Sequence, residues 1–193
     1  MNKILTARDK IYNHIQDPRC GWTAGANHNE FEINCIAKDT IQDTGETLMA
    51  HRKQGFVSDV YRQYVEYYGV LQAVYMQQDS IKELYNLFMA PQLLEFSALP
   101  NWQELRDLRD ATVGHPVGRR KRLNRNAIGY GLVNYQWCPD DQVRSWKSKD
   151  VNLAALLDAY DVEAAGVLES VSRELQTSCA TKHPQPKDPG DKE

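Results

Sequence analysis

The sequence predicts an all-α protein: an antiparallel helical bundle with a small β-hairpin insertion near residues 127–138. Three observations favour this class. Apolar residues recur at helical spacing through most of the chain. Only one segment combines aromatic and β-branched residues with glycines in the way that is typical of strands. The 193 residues include 41% hydrophobic and 25% charged ones, which suits one globular domain with a single core.

The N-terminal third, residues 1–52, is predicted to hold two helices joined by a loop. The first covers residues 2–16, and its apolar positions are Ile4, Leu5, Ile11, Tyr12 and Ile15. Prolines and glycines predict a loop over residues 17–30. From residue 31 to residue 51 a weaker pattern predicts a second helix, with a break near Gly45.

The strongest helical periodicity begins at Val57. Nine apolar residues follow one predicted stripe: Val57, Val60, Tyr61, Tyr64, Val65, Tyr68, Leu71, Val74 and Tyr75. The pattern resumes from Ile81 to Phe88. Ser80 and Glu83 have the spacing of a capping box, which predicts a boundary between two helices near Asp79. We expect the tyrosine-rich stripe to lie in the core or at an interface with a second copy of the chain.

A shorter helix is predicted to start at Asn101, because Pro100 precedes it and Glu104 follows three residues later. Its buried face is predicted to contain Trp102, Leu105 and Leu108. Gly114 predicts the helix end, Pro116 prevents continuation, and His115 is therefore expected just past the end.

The remaining chain is predicted to contain the hairpin and one more helix. Residues 151–176 have the pattern of an amphipathic helix. Residues 178–193 are rich in proline and polar side chains, which predicts a disordered tail. The chain is thus interpreted as one domain over residues 1–177, with its core within residues 53–177.

Charge and cysteine content narrow the function classes. The net charge of −3 does not mark the whole chain as a nucleic-acid binder, so such a role requires a local patch. The four cysteines form no CxxC pair, and no metal site is predicted. Cys20 and Cys35 are not expected to form a functional pair. The N-terminus lacks the apolar core of a signal peptide and no segment suits a membrane span, so a cytoplasmic location is expected.

The stretch LRDATVGHPVGRRKR contains the candidate catalytic pair, Arg109 and His115. Arginine presents a charged fork that matches phosphate oxygens, and histidine exchanges a proton near neutral pH. Together they suffice for metal-free cleavage of RNA through attack of a ribose 2′-OH. The helix end favours a protonated His115, and hence the acid role. Asp110 is expected to orient Arg109 or a histidine.

Helical geometry separates the two members of this pair. Six residues turn a helix through about 600° and advance it by roughly 9 Å, so Arg109 and His115 do not share a face. A two-fold dimer solves this problem by facing each helix end with its equivalent. We therefore predict a composite site in a homodimer.

A basic run follows the pair and is predicted to bind RNA. Its members are Arg119, Arg120, Lys121, Arg122 and Arg125, in a chain that is negative overall. Such a concentrated patch steers anionic ligands, although a solvated loop also explains it. Tyr130, Tyr135 and Trp137 either stack on unpaired bases or pack onto the helices.

Arg109, Asp110 and the Gly-His-Pro segment resemble the signature of the HEPN superfamily: an arginine, four to six residues, then a histidine, often with a polar residue after the arginine. Five residues separate Arg109 from His115 here. The stretch YYGVLQAVYMQQDSIKELY resembles the long helix of bacterial HEPN-like proteins. The resemblance covers roughly residues 55–175.

The resemblance implies a metal-independent, cofactor-free endoribonuclease of a toxin, phage-defence or RNA-processing system. It implies catalytic roles for Arg109 and His115, a supporting role for Asp110, and a homodimer with the motif at its interface. RNA and an antitoxin or regulatory protein are the implied partners. Other members of the superfamily have lost activity, so the alternative is a non-catalytic dimeric module that binds a protein, a nucleotide or RNA.

Simpler roles are also open for these residues. His115 alone is typical of a C-terminal helix cap. Arg109 alone suits a salt bridge with Asp107 or Glu104. A third hypothesis is an enzyme of another class that uses the loop at residues 17–30, although this loop lacks the spacing of a known phosphate cradle.

Overall fold

In the computed structural model, which describes residues 2–110, 112, 125–128, 131–138 and 145–182, the chain forms a helical bundle with a small antiparallel sheet, so the predicted all-α class is confirmed. Only the backbone is described for residues 60, 96, 125–128, 131–138, 145–150 and 179–182. The helices are α1 (Asn2–Gln16), α2 (Trp22–Gly25), α3 (His28–Gln54), α4 (Val60–Met89), α5 (Pro100–Arg109) and α6 (Leu153–Lys182). A short 3-10 helix spans Phe96–Ala98.

One apolar core joins the long helices. It contains the buried faces of α1, α3, α4, α5 and α6, and its largest fully buried side chains include Trp102, Tyr67 and Tyr160. Helices α3 and α4 are antiparallel neighbours, since Gln77 of α4 donates to Thr44 of α3 at 3.2 Å. Helices α1 and α6 run parallel, because contacts join residue 4 to 161, 10 to 169 and 14 to 176.

Two predicted helix breaks are wrong. Helix α3 continues through Gly45, because this glycine faces α1, where an added Cβ would lie 2.6 Å from Cδ2 of Leu5. Helix α4 continues through Ser80. Gln77 and Gln78, which interrupt the apolar pattern before Ser80, are fully buried and donate to polar atoms of α3 and α5, so the pattern break does not expose the helix.

Two acidic residues of α6 hold the beginnings of other helices. The carboxylate of Asp161 accepts from the backbone N–H groups of Lys3 and Ile4, each at 3.3 Å. Glu163 accepts from the backbone N–H of Asn101 at 3.1 Å and of Trp102 at 2.8 Å. Helix α5 therefore starts one residue before the predicted position and is capped from α6 rather than by a local capping box.

The sheet contains the predicted hairpin and a strand that was not predicted. Strand β1 (Arg125–Ile128) pairs antiparallel with β2 (Gly131–Cys138), and β3 (Ser145–Asn152) pairs with the other edge of β2. Strand β3 was not predicted because its sequence, SWKSKDVN, is mostly polar. Helix α6 accordingly begins at Leu153 and extends to Lys182, so residues 178–182 of the predicted tail are helical. Residues 183–193 lie outside the described ranges.

Two structural observations bear on the predicted cytoplasmic location. None of the helices in the described part of the chain combines the length and apolar character that crossing a membrane requires. Cys20 is buried and disulfide-bonded, whereas Cys35 is a free thiol, so these two cysteines do not pair with each other. The partner of Cys20 lies outside the described side chains.

Candidate functional site

The C-terminal half of α5 carries the candidate site. Trp102, Leu105 and Leu108 are buried and fix one face of α5 against the core, with the ring of Trp102 5.7 Å from that of Tyr160 in α6. Helix α5 ends at Arg109, where the backbone at Asp110 and Thr112 widens into a π-helical conformation. Such local π-turns are frequent at functional sites.

Arg109 lies against α4 and is held from three sides. Its Nε and Nη2 donate to the side-chain oxygen of Gln72 at 3.4 and 3.1 Å. Its guanidinium carbon lies 4.0 Å from the ring centre of Tyr75, which is cation–π distance. Its Nη1 donates to Asp110 at 3.1 Å. One fifth of the Arg109 side chain stays exposed, so part of this oriented side chain can contact a ligand.

A second arginine shares the same ring. The guanidinium carbon of Arg106 lies 4.4 Å from the ring centre of Tyr75, and its Nη1 donates to Asp79 at 2.7 Å. The site thus holds two cations and two carboxylates around one tyrosine. Each guanidinium has a carboxylate neighbour, so the charges of these four described side chains cancel, and the feature that distinguishes Arg109 among them is its orientation.

The structure describes only some of the predicted site residues. The expected contact between Asp110 and Arg109 is confirmed. The alternative was a salt bridge of Arg109 with Asp107 or Glu104; in the described residues Arg109 pairs with Asp110 instead, and Asp107 accepts from Gln103. His115 lies outside the described residues, as do Arg119, Arg120, Lys121 and Arg122. The backbone of Arg125 begins β1, but its side chain is not described. The distance between Arg109 and His115 is therefore untested.

Sequence reasoning missed the α4 contribution to this site. Gln72, Tyr75 and Asp79 are spaced by three and four residues, which places them on one helix face. Arg106 and Arg109 have the matching spacing on α5. This complementary pattern was available in the sequence, but Tyr75 was interpreted only as a member of an apolar stripe.

The apolar residues of α4, predicted to form one stripe, lie on two faces of the helix. The face toward the core contains Tyr67, Val70, Leu71, Val74, Ile81 and Leu84. Four apolar residues point to solvent instead, and we call them the α4 exposed face: Tyr61 (83% exposed), Val65 (71%), Tyr68 (41%) and Met76 (46%). Gln72 falls on the line between Tyr68 and Met76, so this face adjoins the arginine site.

Metal ligands do not gather in the described part of the chain: no group of three His, Cys, Asp or Glu residues there is placed to hold an ion. A scan of protein-family models and searches of curated proteins and of solved structures found no match to this chain.

Proposed function

We propose that the chain is a metal-independent endoribonuclease that works as a homodimer. The observation that supports this most is Arg109, whose guanidinium is oriented by Gln72, Tyr75 and Asp110 and still reaches solvent. Catalysis of phosphoryl transfer depends mainly on such pre-positioned charge. The resemblance of Arg109–His115 to the HEPN signature supplies the second partner, the histidine.

In this proposal a ribose 2′-OH attacks the adjacent phosphorus, and the leaving 5′-oxygen receives a proton. His115 transfers protons, and Arg109 stabilises the charge on the phosphoryl oxygens. A guanidinium has five N–H groups, and three of those in Arg109 donate to described residues, so the proposal assigns the other two to a phosphate. Asp110 has a supporting role because it holds Nη1. The products are a 2′,3′-cyclic phosphate and a 5′-hydroxyl.

The homodimer follows from the α4 exposed face together with the separation of Arg109 and His115 along the chain. An apolar face of four large side chains on one helix is typical of an interaction surface. A second copy on this face would lie beside Arg109, as a composite site requires. Val65→Asp places a charge in the centre of the face, and sedimentation velocity is expected to show a monomer.

RNA is the proposed substrate, and the basic run from Arg119 to Arg125 is proposed to recruit it. A toxin, defence or RNA-processing role, and an antitoxin or regulatory partner, belong to the proposal through the HEPN resemblance alone. The cytoplasmic location belongs to it too, with one observation against it: the disulfide at Cys20, since disulfides are rare in reducing compartments. Alkylation of thiols during lysis, followed by mass spectrometry, measures whether all four cysteines are reduced.

The decisive experiment incubates purified wild-type protein with RNA in EDTA. Cleavage that leaves cyclic phosphate ends is expected, and His115→Ala and Arg109→Ala should each lose it. Arg52→Ala is the matched control, because Arg52 pairs with Asp158 on α6, away from the α4–α5 surface. Circular dichroism must show that all three variants fold. Wild-type protein that dimerises but cuts no RNA would refute the proposal.

A second candidate function is the non-catalytic binding module. The exposed area on Tyr61 and Val65 favours it, because this surface suits a protein partner irrespective of any chemistry. In this case Val65→Asp abolishes partner binding, while His115→Ala leaves function intact. The two candidates therefore differ in the effect of a single histidine.

A further inference from the structure

Gln72 lies where the α4 exposed face meets the arginine site. Positions 61, 65, 68, 72 and 76 are spaced by four and three residues, so they form one line along the helix. The neighbours of Gln72 on this line, Tyr68 and Met76, are solvent-exposed, and Gln72 itself is half-buried. Its amide oxygen accepts both hydrogen bonds that orient one edge of Arg109. Whatever covers this face therefore touches the residue that holds the arginine.

We propose that Gln72 is a positioning residue that couples occupation of the α4 exposed face by a second copy of the chain to the orientation of Arg109. The inference rests on the proposed function and adds regulation to it. In a monomer, water competes for the amide oxygen of Gln72, and its side chain keeps rotational freedom. Under a partner helix both are lost, so the two hydrogen bonds to Arg109 persist.

The occupant is a second copy because this face carries no net charge. From Tyr61 to Met76, α4 has one cation, Arg62, and one carboxylate, Glu66. Two such faces related by a two-fold axis meet without strong repulsion between like charges, whereas a nucleic acid requires cations. Gly69 lies beside the same line, and nothing is within 4 Å of the place where its Cβ would be, so a partner backbone can approach closely. From Tyr61 to Met76 the face extends for about 22 Å.

The coupling predicts a specific signature: the accessibility of Arg109 depends on protein concentration. Dilution separates the dimer and frees Gln72, so the guanidinium loses the two hydrogen bonds that orient it. Loss of the Gln72 hydrogen bonds is expected to raise the reactivity of Arg109 about three- to tenfold. Cover of Arg109 by the partner alone would also make this reactivity follow the dimer equilibrium, so the discriminating variant is Gln72→Met.

The experiment uses phenylglyoxal, which modifies accessible arginines, with peptide mapping by mass spectrometry to measure Arg109 alone. In wild type, the modification rate should rise as the protein is diluted through the dimer dissociation constant determined by sedimentation. Gln72→Met keeps the size of the side chain but removes the acceptor. It should dimerise at least as well as wild type, with a rate that is high at every concentration.

Met76→Gln is the matched control, because it changes the same face one turn away and leaves the acceptor for Arg109 in place. Its dimer should be weaker, and at saturating concentration its Arg109 rate should equal that of wild type. A wild type that is monomeric at all concentrations, or a Gln72→Met rate equal to wild type, overturns the inference. Absence of RNA cleavage refutes only the proposed activity, since the reactivity of Arg109 is measured without RNA.

Discussion

In two places of this fold, a tyrosine ring lies beside two cationic side chains. At the α1–α3 contact, Arg8 and Lys38 lie 5.3 and 4.8 Å from the ring centre of Tyr12. At the α4–α5 contact, Arg106 and Arg109 lie 4.4 and 4.0 Å from that of Tyr75. The first two cations are buried, with 8% and 5% of their surface exposed, whereas the side chains of the second pair keep 25% and 20%.

The partners of the cations overlap in type. Arg8 donates its Nε to the backbone carbonyl of Lys38, which joins α1 and α3, and its Nη1 donates to Asp9 at 3.0 Å. In the described part of the chain, no carboxylate forms an ion pair with the Lys38 ammonium. Within the described residues, Arg109 donates only to side chains, through three of its N–H groups. The comparison teaches that burial, rather than cation–tyrosine proximity, separates a structural contact from a candidate binding site.

The largest expected effect comes from Arg109→Lys. A lysine keeps the charge but cannot donate to Gln72 and Asp110 while presenting a fork to phosphate. We expect RNA cleavage to fall by about 100-fold, in the range known for loss of one charge-stabilising donor. Initial rates in EDTA measure this, and the thermal midpoint should stay near that of wild type. Full activity in this variant would indicate that the cations at the α4–α5 contact have only a structural role, like those at the α1–α3 contact.

Arg8→Ala is expected to act on stability alone. The variant removes the additional hydrogen bond to the Lys38 carbonyl and a packed side chain between two helices, which costs about 2 kcal/mol. Urea denaturation followed by circular dichroism measures the loss. Arg19→Ala is the control, because Arg19 pairs with Asp17 in an exposed loop and its removal should leave the denaturation midpoint unchanged. Unchanged stability in Arg8→Ala would contradict the structural role.

Lys38→Met is expected to be neutral or to stabilise the fold by up to about 1 kcal/mol, because it removes a buried charge. Burial lowers the pKa of Lys38 below its usual 10.5, with Arg8 acting in the same direction and Cys35 and Asp39 opposing it. Between the lowered folded value and 10.5, the unfolded chain binds the additional proton. Wild-type stability relative to Lys38→Met should therefore increase as the pH rises through this window. A decrease would contradict the assignment.

The smallest effects are expected for the rings themselves. Tyr12→Leu and Tyr75→Leu each remove cation–π contacts worth about 0.5–1 kcal/mol at partly exposed sites. Both should lower the free energy of unfolding similarly, but only Tyr75→Leu should also slow RNA cleavage. Tyr75→Phe, which retains the aromatic face, should restore the rate. Equal rates of RNA cleavage in all three variants would show that Tyr75 does not contribute to the site.

Local patterns predicted much of the fold because burial follows helical spacing there. Helix α1 was predicted to the residue, and the final helix was predicted to within two residues at its start. The breaks at Gly45 and Ser80 were wrong because their causes are distant: Leu5 fills the space at Gly45, and hydrogen bonds to α3 and α5 allow Gln77 and Gln78 to be buried. Single-segment patterns contain no information on such contacts.

The candidate site was predicted only in part for the same reason. Arg109 and Asp110 are neighbours in sequence, so their hydrogen bond was accessible to local reasoning. Gln72 lies 37 residues from Arg109, and a glutamine has no distinctive pattern on an amphipathic helix. Its hydrogen bonds with Arg109 depend on the packing of α4 against α5, which the sequence of either helix alone does not indicate.

The carboxylates of Asp161 and Glu163 affect the order in which the helices complete their packing during synthesis. Helix α1 precedes α6 along the chain, yet the carboxylate that completes its N-terminal turn belongs to a residue 157 positions downstream of Ile4. Helix α1 can therefore pack on α3 first, but its N-terminal turn is completed only after α6 has been synthesised. Such distant pairing slows folding.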